Sequence, residues 1–230
     1  MANAFHYSIG RKLLQALSGA FLIIFLLLHL TINLFSVIDS FTGEFGSPEG
    51  LFAKGCEFMS LPIVTIMVPV LALGFIIHIF YGIYLTWYNI KARGGYKRYE
   101  VPSKAATDSW SARNMFVLGI VILGILFFHL THFWAHMQLP EFTGGEAENP
   151  YVLLTTTFGQ WWILAIYIVW FVAIWFHLTH GFWSMFQSVG WNNGIWLGRL
   201  KVIGVVISTC ICLGFLTVAV NAALQAHGLI

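Results

Sequence analysis

Residues 170–183 read WFVAIWFHLTHGFW. Two histidines, His177 and His180, stand inside an apolar run long enough to span a bilayer. An ionisable side chain in such a span is costly, so it needs a partner and a task. The letters FHLTH also occur at Phe128–His132, HLT occurs at His29–Thr31, and a further apolar run contains His78. Four spans each carry a histidine, and the remaining sequence is read as what positions them.

Composition sets the class. Only 9% of the 230 residues are charged, whereas a soluble domain has about 25%. Such a chain cannot clothe a water-facing surface, and five apolar runs of 20 or more residues mark a membrane protein. The stretch 13–37 is too long for a signal h-region and no small-x-small site comes after it, so it is expected to remain as a span. Cys56, Cys210 and Cys212 form no CxxC or CxxCH motif. That argues against a zinc ribbon, an iron–sulfur cluster or covalently attached haem on this chain.

The pattern predicts an all-α membrane protein: a single transmembrane domain over 1–230, built as a bundle of five helices at about 11–38, 62–90, 113–137, 151–188 and 199–225. Gly43, Gly46, Pro48 and Gly50 break the first connection, whose later part, Leu51–Met59, reads as interfacial. Pro62 suits a helix start and Pro69 predicts a bend. His6 and His227 read as solvated tail residues.

Loop charge gives the expected orientation. With the N-terminus inside, the inner segments hold Arg11, Lys12, Lys91, Arg93, Lys97, Arg98, Lys104, Arg113, Arg199 and Lys201, and the outer segments hold only Lys54. Asp39, Glu44, Glu49, Glu57, Glu141, Glu146 and Glu148 fall outside; Glu100 and Asp108 fall inside. The expectation is N-terminus inside, C-terminus outside.

Depth then sorts the histidines, at about 1.5 Å of rise per residue. His29 is 18 residues from the inner Arg11 and His129 is 16 from the inner Arg113, so both lie toward the outer face. His78 is 13 residues before Lys91 and His177 is 13 before Gly190, so both lie toward the inner face. Two imidazole pairs at two depths are what two stacked b-type haems need, each iron taking one axial ligand from each of two facing helices. A porphyrin needs room beside its ligands. Gly82 and Gly181 each come four residues after a ligand on the same face, and Gly74 precedes His78 by four. Other readings stay open on these residues. Each histidine could simply bond across a helix interface. His129, His132 and His136, at i, i+3 and i+7, could share a face as zinc or copper ligands. Depth alone does not separate His129 from His132, or His177 from His180.

FLLLHLTIN around His29, IIHIFYG around His78, FFHLTHFW around His129 and FHLTHGFW around His177 resemble the ligand segments of the dihaem cytochrome b membrane anchors of succinate:quinone oxidoreductases. The likeness is greatest to the single-subunit, five-helix anchors of menaquinone-using bacteria, and it covers the whole chain. It implies two haem b, with His29 and His129 as the outer axial ligands and His78 and His177 as the inner ones. It implies haem surroundings at Gln15, Ser18, Trp110 and Arg113. The partners implied are a flavoprotein subunit and an iron–sulfur subunit on the inner face, met by the basic loop 91–104 and the turn 191–199, together with membrane lipid, menaquinone and no nucleic acid. The location implied is the bacterial cytoplasmic membrane. Electrons would pass between the iron–sulfur subunit and menaquinone, while the succinate or fumarate site lies on the flavoprotein and not on this chain.

Some dihaem relatives carry a glutamate near the fourth ligand; here Trp175 stands just before His177, and the five expected spans contain no Asp or Glu. Quinone chemistry moves protons, so an outer site directs attention to Asp39, Glu57, Glu141, His132 and His136. Two rivals remain: a cytochrome b subunit of another membrane dehydrogenase or hydrogenase, with a different helix order for its ligands, and a histidine-lined transporter with inverted-repeat symmetry.

Overall fold

The computed structural model describes residues 8–92, 94, 109–191 and 193–230. Among them the chain is helical, with no strand. The helices are α1 (Ser8–Thr42), α2 (Leu51–Met59), α3 (Pro62–Ala92), α4 (Trp110–His129), α5 (Ala135–Thr143), α6 (Pro150–Phe158), α7 (Trp161–Ser188) and α8 (Gly194–Ala226); a π turn, Leu130–Trp134, joins α4 to α5. Among the described residues, five stretches are long and apolar enough to cross a membrane: Ile9–Thr42, Pro62–Ala92, Trp110–Thr143, Trp161–Ser188 and Gly194–Ala226. The protein is therefore a multi-pass, five-span helical bundle. The basic loop expected at 91–104, the tail histidine His6, Glu100 and Asp108 lie largely or wholly outside the described residues.

Each helix boundary has a local cause. α1 ends at Gly43, whose φ of +78° is left-handed, the usual way to terminate a helix. Ser109 caps α4 by accepting from the Ala112 N–H at 3.1 Å. Asn149 caps α6, with Pro150 in its first turn. Asn193 accepts from the Trp196 N–H and starts α8 at Gly194, five residues before the expected start at Arg199. α3 runs unbroken through Pro69.

The span expected at 151–188 is two helices. Gly159 and Gln160 separate them, and Gln160 is extended. The break lets α6 fold against the end of α8, where a Cβ on Gly159 would come within 2.9 Å of Ala226 Cβ. His227 is no free tail residue. Its ring stacks on Trp161 at 4.8 Å, and its Nε2 lies 3.1 Å from the Gly159 carbonyl.

α7, α8 and α1 form the densest part of the bundle. Buried Ile163, Tyr167 and Phe171 of α7 meet Ile211, Val218 and Ala222 of α8. Small residues permit the close approach, as is usual between helices in lipid. A Cβ on Gly204 would press on Phe182, and one on Gly214 would press on Leu30. Polar pairs pin the contacts: Trp175 Nε1 donates to Thr209 Oγ1 at 2.9 Å, and Asn221 Nδ2 donates to Ser40 Oγ at 2.8 Å. α3 differs. None of its residues is buried; one side faces outward and the other faces a cavity.

The two ends of the bundle differ in charge. Arg11, Lys12, Lys91, Arg113, Arg199 and Lys201 mark a basic end, and Asp39, Glu57, Glu141 and Glu148 mark an acidic end. At the acidic end Asp39, on the last turn of α1 and 1% exposed, is fully engaged. Its carboxylate accepts from the Leu51 and Phe52 N–H groups at 2.8 Å each, and from Tyr151 Oη at 2.6 Å. It thus caps α2 and ties α6 to α1, so the two short helices form a roof over that end. Burial, and then the bond to Asp39, push the Tyr151 hydroxyl well above the usual phenol range.

Candidate functional site

The four span histidines line one continuous cavity of about 1520 Å³ that extends from Lys12 and Gln187 at the basic end to Glu57 and Glu148 at the acidic end. This exceeds the usual range for one drug-sized ligand, about 300–1,000 Å³. Its long walls are α1, α3, α4 and α7, joined toward the acidic end by residues of α2, α5, α6 and α8, and its lining is mainly apolar.

The histidines meet across it in two pairs. His29 of α1 and His129 of α4 have ring centres 5.9 Å apart with an interplanar angle of 85°. His78 of α3 and His177 of α7 have ring centres 6.1 Å apart at 63°. On α1, Gly19 lies against His78, where an added Cβ would sit 3.3 Å from Cε1. His29 is ten residues further along the same helix, so the pairs are about 15 Å apart along the bundle axis.

Polar neighbours hold the Nδ1 side of three rings. Ser18 Oγ donates to the Gln15 carbonyl at 3.1 Å and lies 3.3 Å from His78 Nδ1, so it is placed to accept from an Nδ1–H. That leaves His78 Nε2 as the unprotonated nitrogen on the cavity side. Gln15 Nε2 is 3.4 Å from both ring nitrogens. Tyr167 Oη lies 3.4 Å from His129 Nδ1, and Asn33 Nδ2, which donates to the His29 carbonyl, lies 3.5 Å from His29 Nδ1. His177 Nδ1 is buried without a partner. Aromatic rings fix the imidazoles of the pair nearer the acidic end: Phe25 stacks on His29 at 5.4 Å, and Trp170 packs on His129 at 5.4 Å. Trp170 is itself anchored by its Nε1 donating to the Ile122 carbonyl of α4.

This geometry fits a ligand held at its centre from both sides. Two imidazoles bound to opposite faces of one metal ion, through bonds of about 2 Å, hold their ring centres about 6 Å apart. Both pairs have that spacing. Glycines clear the space beside them. An added Cβ would meet nothing closer than 3.6 Å at Gly82 or 3.7 Å at Gly181, and nothing within 4 Å at Gly119, all three on the cavity wall. Gly119 of α4 was not anticipated from sequence. Gly74 has another use: its Cβ would strike Phe21 at 2.8 Å, so it serves the α1–α3 contact and not the cavity.

Other expected site residues fall elsewhere. Trp110 packs on Phe176 at 4.9 Å, and neither it nor Arg113 lines the cavity. Asp39 is taken by the α2 cap. His132 also lies off the cavity, because the π turn after His129 adds a residue to the helical repeat and rotates the side chains beyond it. Its Nδ1 instead lies 2.7 Å from the Phe128 carbonyl. His136 pairs with Glu148 at 2.7 Å. His129, His132 and His136 therefore do not share a face, and no group of three or more metal-ligating side chains gathers among the described residues. Of the expected proton-handling groups, Glu57 and Glu141 remain at the acidic mouth, where Gln138 Nε2 and Thr65 Oγ1 both donate to Glu141. Cys56 lines the same end, and burial pushes its thiol up to about 12, so it stays protonated.

No protein-family model, curated protein or solved structure matches this chain.

Proposed function

We propose that this chain is the dihaem cytochrome b anchor of a succinate:quinone oxidoreductase, working as a succinate dehydrogenase or a quinol:fumarate reductase. One observation carries the reading. Two imidazole pairs on four helices face each other, at the spacing of two ligands on one metal, inside a single large apolar cavity.

His29 with His129, and His78 with His177, would hold one haem b each. A haem bound there would supply one-electron transfer. The chain's own residues do the rest. Ser18 and Tyr167 orient His78 and His129. Gly82, Gly119 and Gly181 leave room for a flat ring. The lining is mainly apolar, and among the described residues its carboxylates, Glu57, Glu141 and Glu148, are at the acidic mouth, where protons would be handled.

The basic end belongs on the cytoplasmic side of a bacterial membrane, by the bias of lysine and arginine. Aromatic rings carry cations there, as interfacial anchors do: Arg11 over Tyr84, Lys91 over Trp87 and Arg199 over Trp196. That end is where the iron–sulfur and flavoprotein subunits would dock, and the succinate or fumarate chemistry would be theirs. Menaquinone would react at the acidic mouth, where Glu57 and Glu141 exchange protons with it.

The test is the haem content of the purified chain, read from a pyridine haemochrome spectrum. Two b haems per chain is the expected result. A chain free of haem, from cells that make haem, overturns the reading and moves a histidine-lined transporter to the front. Two haems with partner subunits of a hydrogenase or another dehydrogenase would keep the haem and reject the succinate assignment.

A further inference from the structure

The wall of the cavity is not equally thick all round. α3 packs along α1, where Gly74 receives Phe21 and Arg11 Nη1 donates to Tyr84 Oη at 2.6 Å. Against α4 it packs only thinly. Away from the two charged ends, the described lining residues that are also exposed on the outside of the bundle are Ile83 of α3, Phe116 and Ile120 of α4, and Trp134 of the π turn. Ile83 is 52% exposed, Phe116 43% and Ile120 54%. The lining residues of α1 and α7 at these depths are buried or half-buried. The seam between α3 and α4 is therefore the thin side, one side chain deep.

The thin part stands level with the His78–His177 pair. Ile83 comes five residues after His78, about 7.5 Å along α3. On α4, Met115 Cε lies 3.7 Å from where a Cβ on Gly181 would be, one turn past His177, and Phe116 and Ile120 belong to the same stretch. Gly82 and Gly119 keep the inner side of the seam clear. Outside it the surface is apolar. Ile76 and Phe80 of α3 and Val117 and Phe127 of α4 are all exposed, on two of the five membrane-length helices. An apolar ligand dissolves in the bilayer in preference to water. From there the seam is a direct way in. The acidic end is roofed by α2 and α6, tied together through Asp39, and the basic end leads past Lys12 and Gln15.

We propose that the α3–α4 seam is a lateral portal: a flat apolar ring enters from the bilayer edge-first, between Ile83 on one side and Phe116 and Ile120 on the other, and so reaches His78 and His177. The inference rests on the haem reading, which supplies the ring. It also gives a use to the loose seating of α3. A helix with no buried residue is free to lean away from α4 while Gly74 keeps its contact with Phe21 and Tyr84 its bond to Arg11.

The experiment uses the whole chain, produced in cells blocked in haem synthesis and reconstituted in phosphatidylcholine vesicles. Haemin is added and its uptake is followed as growth of the Soret band. Ile83→Trp and Ile120→Trp narrow the seam. Ile76→Trp and Val117→Trp put the same bulk on exposed positions of α3 and α4 that do not line the cavity. The seam variants are expected to take up haem about tenfold more slowly, a barrier about 1.4 kcal/mol higher, and still to finish with two haems per chain, while the two controls keep the parental rate. Parental rates in all four variants overturn the portal and leave the haem reading intact. Equal slowing in all four also overturns it, as an effect of bulk on the bundle at large. If a seam variant finishes short of two haems, the double variant Phe116→Ala with Ile120→Ala decides: faster uptake through the widened seam supports the portal, and a parental rate overturns it. A parent chain that takes up no haem overturns both readings.

Discussion

His78 and His177 stand 6.1 Å apart, ring centre to ring centre, on helices separated by a whole further span. His29 and His129 repeat the arrangement at 5.9 Å. His78→Ala or His177→Ala should therefore remove one haem, and His29→Ala or His129→Ala the other, each leaving one haem per chain in the haemochrome spectrum. Two haems retained in any of the four variants would reject that ligand.

The cleared wall makes a separate prediction. Gly119→Leu, Gly82→Phe and Gly181→Phe put side chains into the cavity and not into a helix contact. Each should lower haem content while circular dichroism still reports the parental helix content. Gly74→Leu should do the reverse. It strikes Phe21 of α1, so it should lower the yield of folded protein whether or not haem is supplied.

Asp39 holds the roof. Asp39→Ala strands the Leu51 and Phe52 N–H groups and the Tyr151 hydroxyl; an unsatisfied buried donor costs about 1–3 kcal/mol, and a loss of at least that order should appear in thermal or denaturant unfolding. Tyr151→Phe removes one bond to a charged acceptor and should cost about 1.5–3 kcal/mol. Cys56 lies in this roof, on α2, and its thiol, pushed up to about 12 by burial, stays neutral near pH 7. Maleimide labelling of Cys56 near neutral pH should be slow in the parent and faster in Asp39→Ala. Equal rates would mean that the roof does not depend on Asp39.

At the acidic mouth, Glu57→Gln and Glu141→Gln should slow quinone turnover by about 100-fold, the low end of general acid–base contributions, with unchanged haem spectra. His132→Leu should leave turnover near the parental rate, because His132 is turned off the cavity. A turnover defect in His132→Leu alone would relocate the proton-handling group.

Much of this arrangement is legible in the letters. Helical rise measured from the basic residues pairs the first span with the third and the second with the fourth, because depth in a bilayer is a one-dimensional coordinate, but it does not separate His129 from His132 or His177 from His180. Gly82 and Gly181 were legible by their four-residue offset from a histidine. Gly74 has the same offset and does a different job, since a missing side chain serves a helix contact as well as it serves a cavity. His132 was misplaced because a π turn has no letter of its own: FHLTH occurs on α4 with the turn and on α7 without it. The cap that Asp39 makes on α2 was not legible because two of its partners are backbone N–H groups, which every residue carries.

α3 has no buried residue along its whole length, though it forms one wall of the cavity. A group held in the cavity, as proposed, would pack against the inner face of α3. Mass action then governs the fold. Above saturation, each tenfold rise in free ligand would add about 1.4 kcal/mol to the stability of the filled bundle.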